Sequence, residues 1–116
     1  MPQAAIVHSW TGPVPGREKQ GMALMAETTA MSEKWVSEGR LADFAWYFSA
    51  NDPSGLMIAR GEADAVGALV QDPEFQTLAM KAGLINEGYR WAMHVTGDSI
   101  ADTATRWMSV VEEISG

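Results

Sequence analysis

Two histidines, His8 and His94, are the only side chains of this chain whose ordinary charge change falls near neutral pH, and both lie in runs that read as β-strands. Asp43 and Tyr47 share one face of a second such run by period-two spacing. Arg90 and His94 share one face of another, and Arg60 ends a third. Together these residue types suffice for general acid–base work. A neutral imidazole takes a proton, a carboxylate fixes its tautomer, and an arginine or a phenol steadies a developing enolate. The expected roles are His8 or His94 as base, Asp43 as orienting carboxylate, Arg90 as the group that steadies negative charge and Tyr47 as acid or donor. Trp10, Arg60 and Trp91 are expected to line a ligand cavity for a flat organic molecule. The arrangement requires all of these side chains to share the concave side of one sheet. The plainer alternative is that His8 and His94 are half-buried strand residues without chemistry. Two histidines without cysteine are too few for a complete metal site, so neither a metal nor a cofactor is expected.

The elements that must position these residues fit in one domain. The chain has 116 residues, and 15 acidic against 8 basic side chains give a formal charge of −7. Apolar residues make up 47%, a globular composition. The absence of cysteine excludes disulfides, a thiol nucleophile and thiolate zinc sites. No Lys/Arg cluster offers a nucleic-acid footprint, and no apolar run is long enough to span a bilayer. A soluble, cytoplasmic protein is expected, with no membrane or nucleic-acid partner.

Residues 4–10 read as a strand, followed by a turn rich in Pro and Gly at 11–16. Residues 17–38 carry helical apolar stripes closed by Gly39, and Trp35 falls on one of them. Residues 40–50 and 56–60 form a hairpin around a five-residue turn cluster. Gly61 ends that strand, and a helix follows that restarts at Asp72-Pro73 and closes at Gly83. Residues 87–96 read as the fourth strand, and a last helix opens at Gly97-Asp98 with Ile100, Trp107, Val111 and Ile114 on its apolar side. Trp35 and Trp107 are both expected in the core. The order β-α-β-β-α-β plus a terminal helix is the ferredoxin-like α+β arrangement, one antiparallel sheet with helices on one face. Neither face of the strands is polar. The open face of the sheet is therefore expected to pack against a second copy, giving a homodimer; the plainer alternative is that the C-terminal helix covers part of that face within one chain.

With this order, the stretch Glu38-Gly-Arg-Leu41, Gly61-Glu-Ala-Asp-Ala65 and Asp72-Pro-Glu-Phe75 resembles the dimeric α/β-barrel superfamily, and within it the YCII-like branch. The resemblance spans roughly residues 4–96. It implies two sheets packed as a dimeric α/β barrel and a cleft for a small, aromatic or carbonyl-containing metabolite. The superfamily includes cofactor-independent monooxygenases, isomerases, lyases, haem-degrading enzymes and proteins with no known activity. YCII-like enzymes place a histidine in the first helix near an aspartate before the second strand, whereas residues 17–38 here hold no histidine and Glu38 precedes Gly39. No catalytic residue is therefore inherited from the resemblance. The alternative to an enzyme is a non-catalytic dimer that binds a ligand or a protein partner.

Overall fold

The protein is described by a computed structural model that covers residues 2–97 and 99–116. Strand β1 (Pro2–Trp10) and the short β2 (Gly12–Pro13) precede helix α1 (Glu18–Ser37). Strands β3 (Asp43–Phe48) and β4 (Gly55–Glu62) make the expected hairpin. Helices α2 (Ala63–Leu69) and α3 (Pro73–Ile85), short β5 (Asn86–Glu87), strand β6 (Arg90–Gly97) and helix α4 (Ser99–Ser115) complete the chain. The main sheet has the order β3-β4-β1-β6 with antiparallel neighbours, and β2 pairs with β5 in a two-stranded patch.

The register decides what each strand presents. Opposite Ile6 lie Ala59 and Met93, and opposite His8 lie Met57 and Trp91. Phe44 pairs with Ala59 and Trp46 with Met57. Side chains directly opposite share a face. One face of the sheet thus carries Ile6, His8, Phe44, Trp46, Met57 and Trp91. The helices cover this face: Ala4, Ile6, Met57 and Ala59 form one core with Leu24 and Trp35 of α1, Val66 and Leu69 of α2, and Phe75 and Leu78 of α3.

The motif residues prove to be structural. Gly39 takes φ +77°, the left-handed conformation that lets the chain leave α1 and turn into β3. Asp72 caps α3 by accepting from the Glu74 backbone N–H at 2.8 Å, with Pro73 in the first turn. Arg40 Nη2 donates to Asp72 Oδ2 at 3.0 Å, which ties the turn after α1 to the start of α3. Those hydrogen bonds, together with the nearby Lys34 charge, hold the Asp72 carboxyl below the usual range.

Several boundaries move. Helix α3 runs through Gly83 to Ile85, because Ala82 and Ile85 of its last turn still pack against the core. The expected fourth strand is interrupted at Gly88, whose φ of +65° bends the chain between β5 and β6. Gly61 belongs to β4 rather than ending it. Trp35 is in the core, but Trp107 is 66% exposed: α4 lies chiefly against β6 and β1, and Ile100, Trp107, Val111 and Ile114 of its apolar stripe all stay exposed. Asp98 lies outside the described residues.

Gly55 is needed where Trp10 crosses it. A Cβ there would stand 2.7 Å from Trp10 Cζ2 and 3.0 Å from the Tyr47 carbonyl oxygen. Gly55→Ala is expected to cost about 1–3 kcal/mol in chemical denaturation, because the indole and the β3 backbone must both give way.

Candidate functional site

Between the helix-covered face of the sheet and helices α1 and α3 lies a cavity of about 200 Å³. Its walls are mostly apolar: Trp10, Trp46 and Phe48 from the strands, Leu24, Met25 and Trp35 from α1, and Phe75 and Leu78 from α3. Trp10 meets Trp46 edge-on at 5.9 Å, and Trp46 stacks on Phe48 at the same separation. Trp46 Nε1 donates to Thr29 Oγ1 at 3.1 Å, anchoring that aromatic wall to α1. An engineered cavity of about 150 Å³ holds benzene, so this one suits a molecule of one or two rings.

Two polar groups meet on the sheet side of the cavity. His8 Nδ1 lies 2.7 Å from the Tyr89 hydroxyl, and both side chains line the space. The backbone brings them together: His8 is directly opposite Trp91 on β6, and Tyr89 precedes Trp91 by two residues on the same face. Burial lowers the His8 pKa from 6.5 to about 4, so the ring is neutral at physiological pH. Burial likewise pushes the Tyr89 phenol well above its ordinary range, so it keeps its proton. The pair has two arrangements with different chemistry. If His8 Nδ1–H donates to Tyr89 Oη, then Nε2 keeps a free lone pair and can take a proton. If the Tyr89 O–H donates to Nδ1, then Nε2 carries hydrogen and His8 can only donate.

A neutral buried histidine also couples stability to pH. The folded state disfavours the imidazolium, so between pH 6.5 and about 4 the unfolded chain binds the extra proton and stability falls with acidification. The loss from this group should reach about 3 kcal/mol, complete below the folded pKa. Urea titrations across that window should show this slope in the wild type and its loss in His8→Asn.

The five-residue constellation expected from the sequence does not assemble within the chain. His8 faces the helices, whereas Asp43, Tyr47, Arg90 and His94 lie on the open face, opposite Arg60, Leu56, Ser9 and Ala5 respectively. The reason is the period-two alternation. His8 is an even position of β1, while Arg90 and His94 pair with odd ones. Asp43 and His94 also stand at opposite edges of the sheet, roughly 14 Å apart at ordinary strand spacing. Asp43 therefore orients no histidine. Its carboxylate is held by Arg60, with Nε–Oδ1 at 2.9 Å and Nη2–Oδ2 at 2.6 Å, and those hydrogen bonds keep its pKa low. Of the expected ligand-binding residues, Trp10 lines the cavity, Trp91 packs edge-on against Phe75 at 5.0 Å beside it, and Arg60 is on the open face. Among the described residues no group of three His, Asp or Glu side chains gathers in metal-binding geometry. No described helix is long and apolar enough to cross a membrane.

Tyr89 was legible only as strand alternation. Its signal is that it shares the Trp91 face and so falls beside His8 once the β1–β6 register is known.

No protein-family profile and no curated protein matches the chain. Solved structures do. A variant of SnoaB, a cofactor-independent oxygenase from Streptomyces nogalater, superimposes with a TM-score of 0.65 at 15% identity, over 83% of this chain and 93% of that one. The protein Rv0793 from Mycobacterium tuberculosis gives 0.63 at 18% identity, over 82% and 93%. PA3566 from Pseudomonas aeruginosa gives 0.63 at 12% identity, over 84% and 96%. The likeness is one of fold. The chain has a ferredoxin-like α+β fold, as its element order implied.

Proposed function

We propose that this protein is a homodimer that binds a small aromatic ketone or phenol between sheet and helices and removes a proton from it without a cofactor. The observation that carries this function is the His8–Tyr89 pair, hydrogen-bonded at 2.7 Å in the wall of an otherwise apolar, aromatic-lined cavity. A C–H or O–H bond of the ligand breaks, its electron pair stays behind as enolate or phenolate, and the proton passes to His8 Nε2. Burial that disfavours a lone imidazolium is offset here, because the anion formed beside it supplies the opposite charge. The freed Tyr89 O–H is placed to hold the anionic oxygen. SnoaB is a cofactor-independent oxygenase. Dioxygen chemistry without flavin or metal requires the substrate to supply the electrons, and an enolate in a dry pocket is such a source. Protonation elsewhere on the enolate would instead give isomerisation.

The homodimer rests on the open face. Val7, Ala45, Leu56, Ile58 and Ala92 share it by register, and none of them belongs to the core that the helices cover. Helix α4 adds Ile100, Trp107, Val111 and Ile114, all exposed. An exposed apolar patch of sheet size ordinarily marks an interface, and a second copy supplies a matching apolar sheet. In such a dimer Asp43, Tyr47, Arg90 and His94 lie at the sheet–sheet interface. The Glu38–Leu41 and Asp72–Phe75 stretches of the sequence support a place near the YCII-like branch, and the composition supports a place in the cytoplasm.

β-Tetralone, a two-ring ketone with an acidic benzylic position, tests the function. In heavy water the protein should accelerate deuterium entry at that carbon over buffer, with saturation, as followed by NMR. Saturable binding with no acceleration would contradict the proton transfer and match the alternative, a non-catalytic binder in which Tyr89 donates to His8 Nδ1.

A further inference from the structure

One residue of the cavity wall carries a buried polar atom without an explained partner. Trp35 is 3% exposed and lines the space, yet its Nε1–H has no hydrogen-bond partner among the described residues. A buried donor left unmade costs free energy, so such groups are few in folded proteins and each calls for a cause. The second indole of this wall is satisfied, since Trp46 donates to Thr29. Packing alone would accept a phenylalanine at residue 35, where the ring already sits 6.3 Å from Phe75 in a tilted contact. Ser32, one turn earlier on α1 and 1% exposed, brings a hydroxyl to the same cavity.

We propose that Trp35 is a ligand-binding residue, whose indole N–H donates a hydrogen bond to an acceptor oxygen of the one- or two-ring molecule held in the cavity. Indole is a donor only, so the ligand atom must be an acceptor: a carbonyl, or the oxygen of a phenolate or enolate. Phe75 lies against both Trp35 and His8, at 6.3 and 5.8 Å between ring centroids, so α1 and β1 present their polar groups around one aromatic side chain. The ligand class narrows accordingly to oxygenated aromatics. Hydrocarbons of the same shape would fill the space and leave the donor unmade, which disfavours them. This assignment rests on the cavity being the ligand site.

The test compares β-tetralone with tetralin, the same ring system without the carbonyl, against wild type and Trp35→Phe by calorimetry. The variant should bind β-tetralone about tenfold more weakly and tetralin within about twofold of wild type. In ¹⁵N-labelled wild-type protein, the Trp35 indole N–H resonance should shift downfield with β-tetralone and stay in place with tetralin. That measurement holds even if Trp35→Phe fails to fold. Equal losses for both compounds, no loss for either, or an indole resonance unmoved by the ketone would overturn the assignment while leaving the cavity as a binding site. Failure of both compounds to bind wild-type protein would overturn the cavity site itself, and the assignment with it.

Discussion

His8→Asn is expected to lower protein-catalysed deuterium exchange into β-tetralone by at least a hundredfold while the far-UV spectrum and the midpoint of unfolding at neutral pH change little. General-base groups contribute on the order of 10²–10⁴ to rate. Asparagine keeps a short polar side chain within reach of the Tyr89 hydroxyl but has no lone pair basic enough to take a proton. Affinity should therefore survive better than turnover, because the aromatic walls made by Trp10, Trp46 and Phe48 are untouched. The complementary change, Tyr89→Phe, leaves the imidazole present and removes the partner that fixes its tautomer, so it should cost less than His8→Asn. Wild-type rates in His8→Asn would mean that the exchange is not carried by this pair.

Ile58→Asp should convert the dimer to a monomer. Ile58 sits on β4 between Val7 of β1 and Ala45 of β3, near the centre of the open face. An unpaired carboxylate buried between two sheets costs about 3–5 kcal/mol, which raises the dissociation constant by about two to four orders of magnitude. Met80→Asp is the control: Met80 is 69% exposed on α3, away from the open face, and should leave the mass unchanged. Sedimentation velocity separates the outcomes. A wild-type protein that runs as a 12.6 kDa monomer at micromolar concentration would contradict the dimer directly.

Much of the fold was legible because local chemistry and global arrangement agree. Gly39 with φ +77° and the Asp72-Pro73 start were written in the residues themselves, and the alternating pattern gave the strands. The facing of the strands was not. A pattern that is apolar on both sides of a strand, with Phe44 and Trp46 on one and Ala45 and Tyr47 on the other, does not reveal which side meets the helices. Only the pairing of His8 with Met57 and Trp91 settles that His8 turns inward and that Arg90 and His94 turn outward. The candidate site therefore shrank from five polar residues to a pair, and gained a tyrosine that looked like one more apolar-face strand residue. Trp35 shows the same limit from the other side. Its apolar stripe correctly predicted burial, but no sequence pattern states whether an indole N–H finds a partner. Trp107 failed for a different reason: amphipathic spacing identifies a face that needs covering, not what covers it.

The face of the sheet that carries the ligand is the point on which everything else depends, and intermolecular NOEs between β-tetralone and the aromatic side chains measure it most directly. Cross-peaks to the rings of His8, Trp35 and Trp46 are expected, since all three line the cavity between sheet and helices. Cross-peaks to Tyr47 and His94, which lie on the open face, would place the ligand on the other side of the sheet and contradict the site.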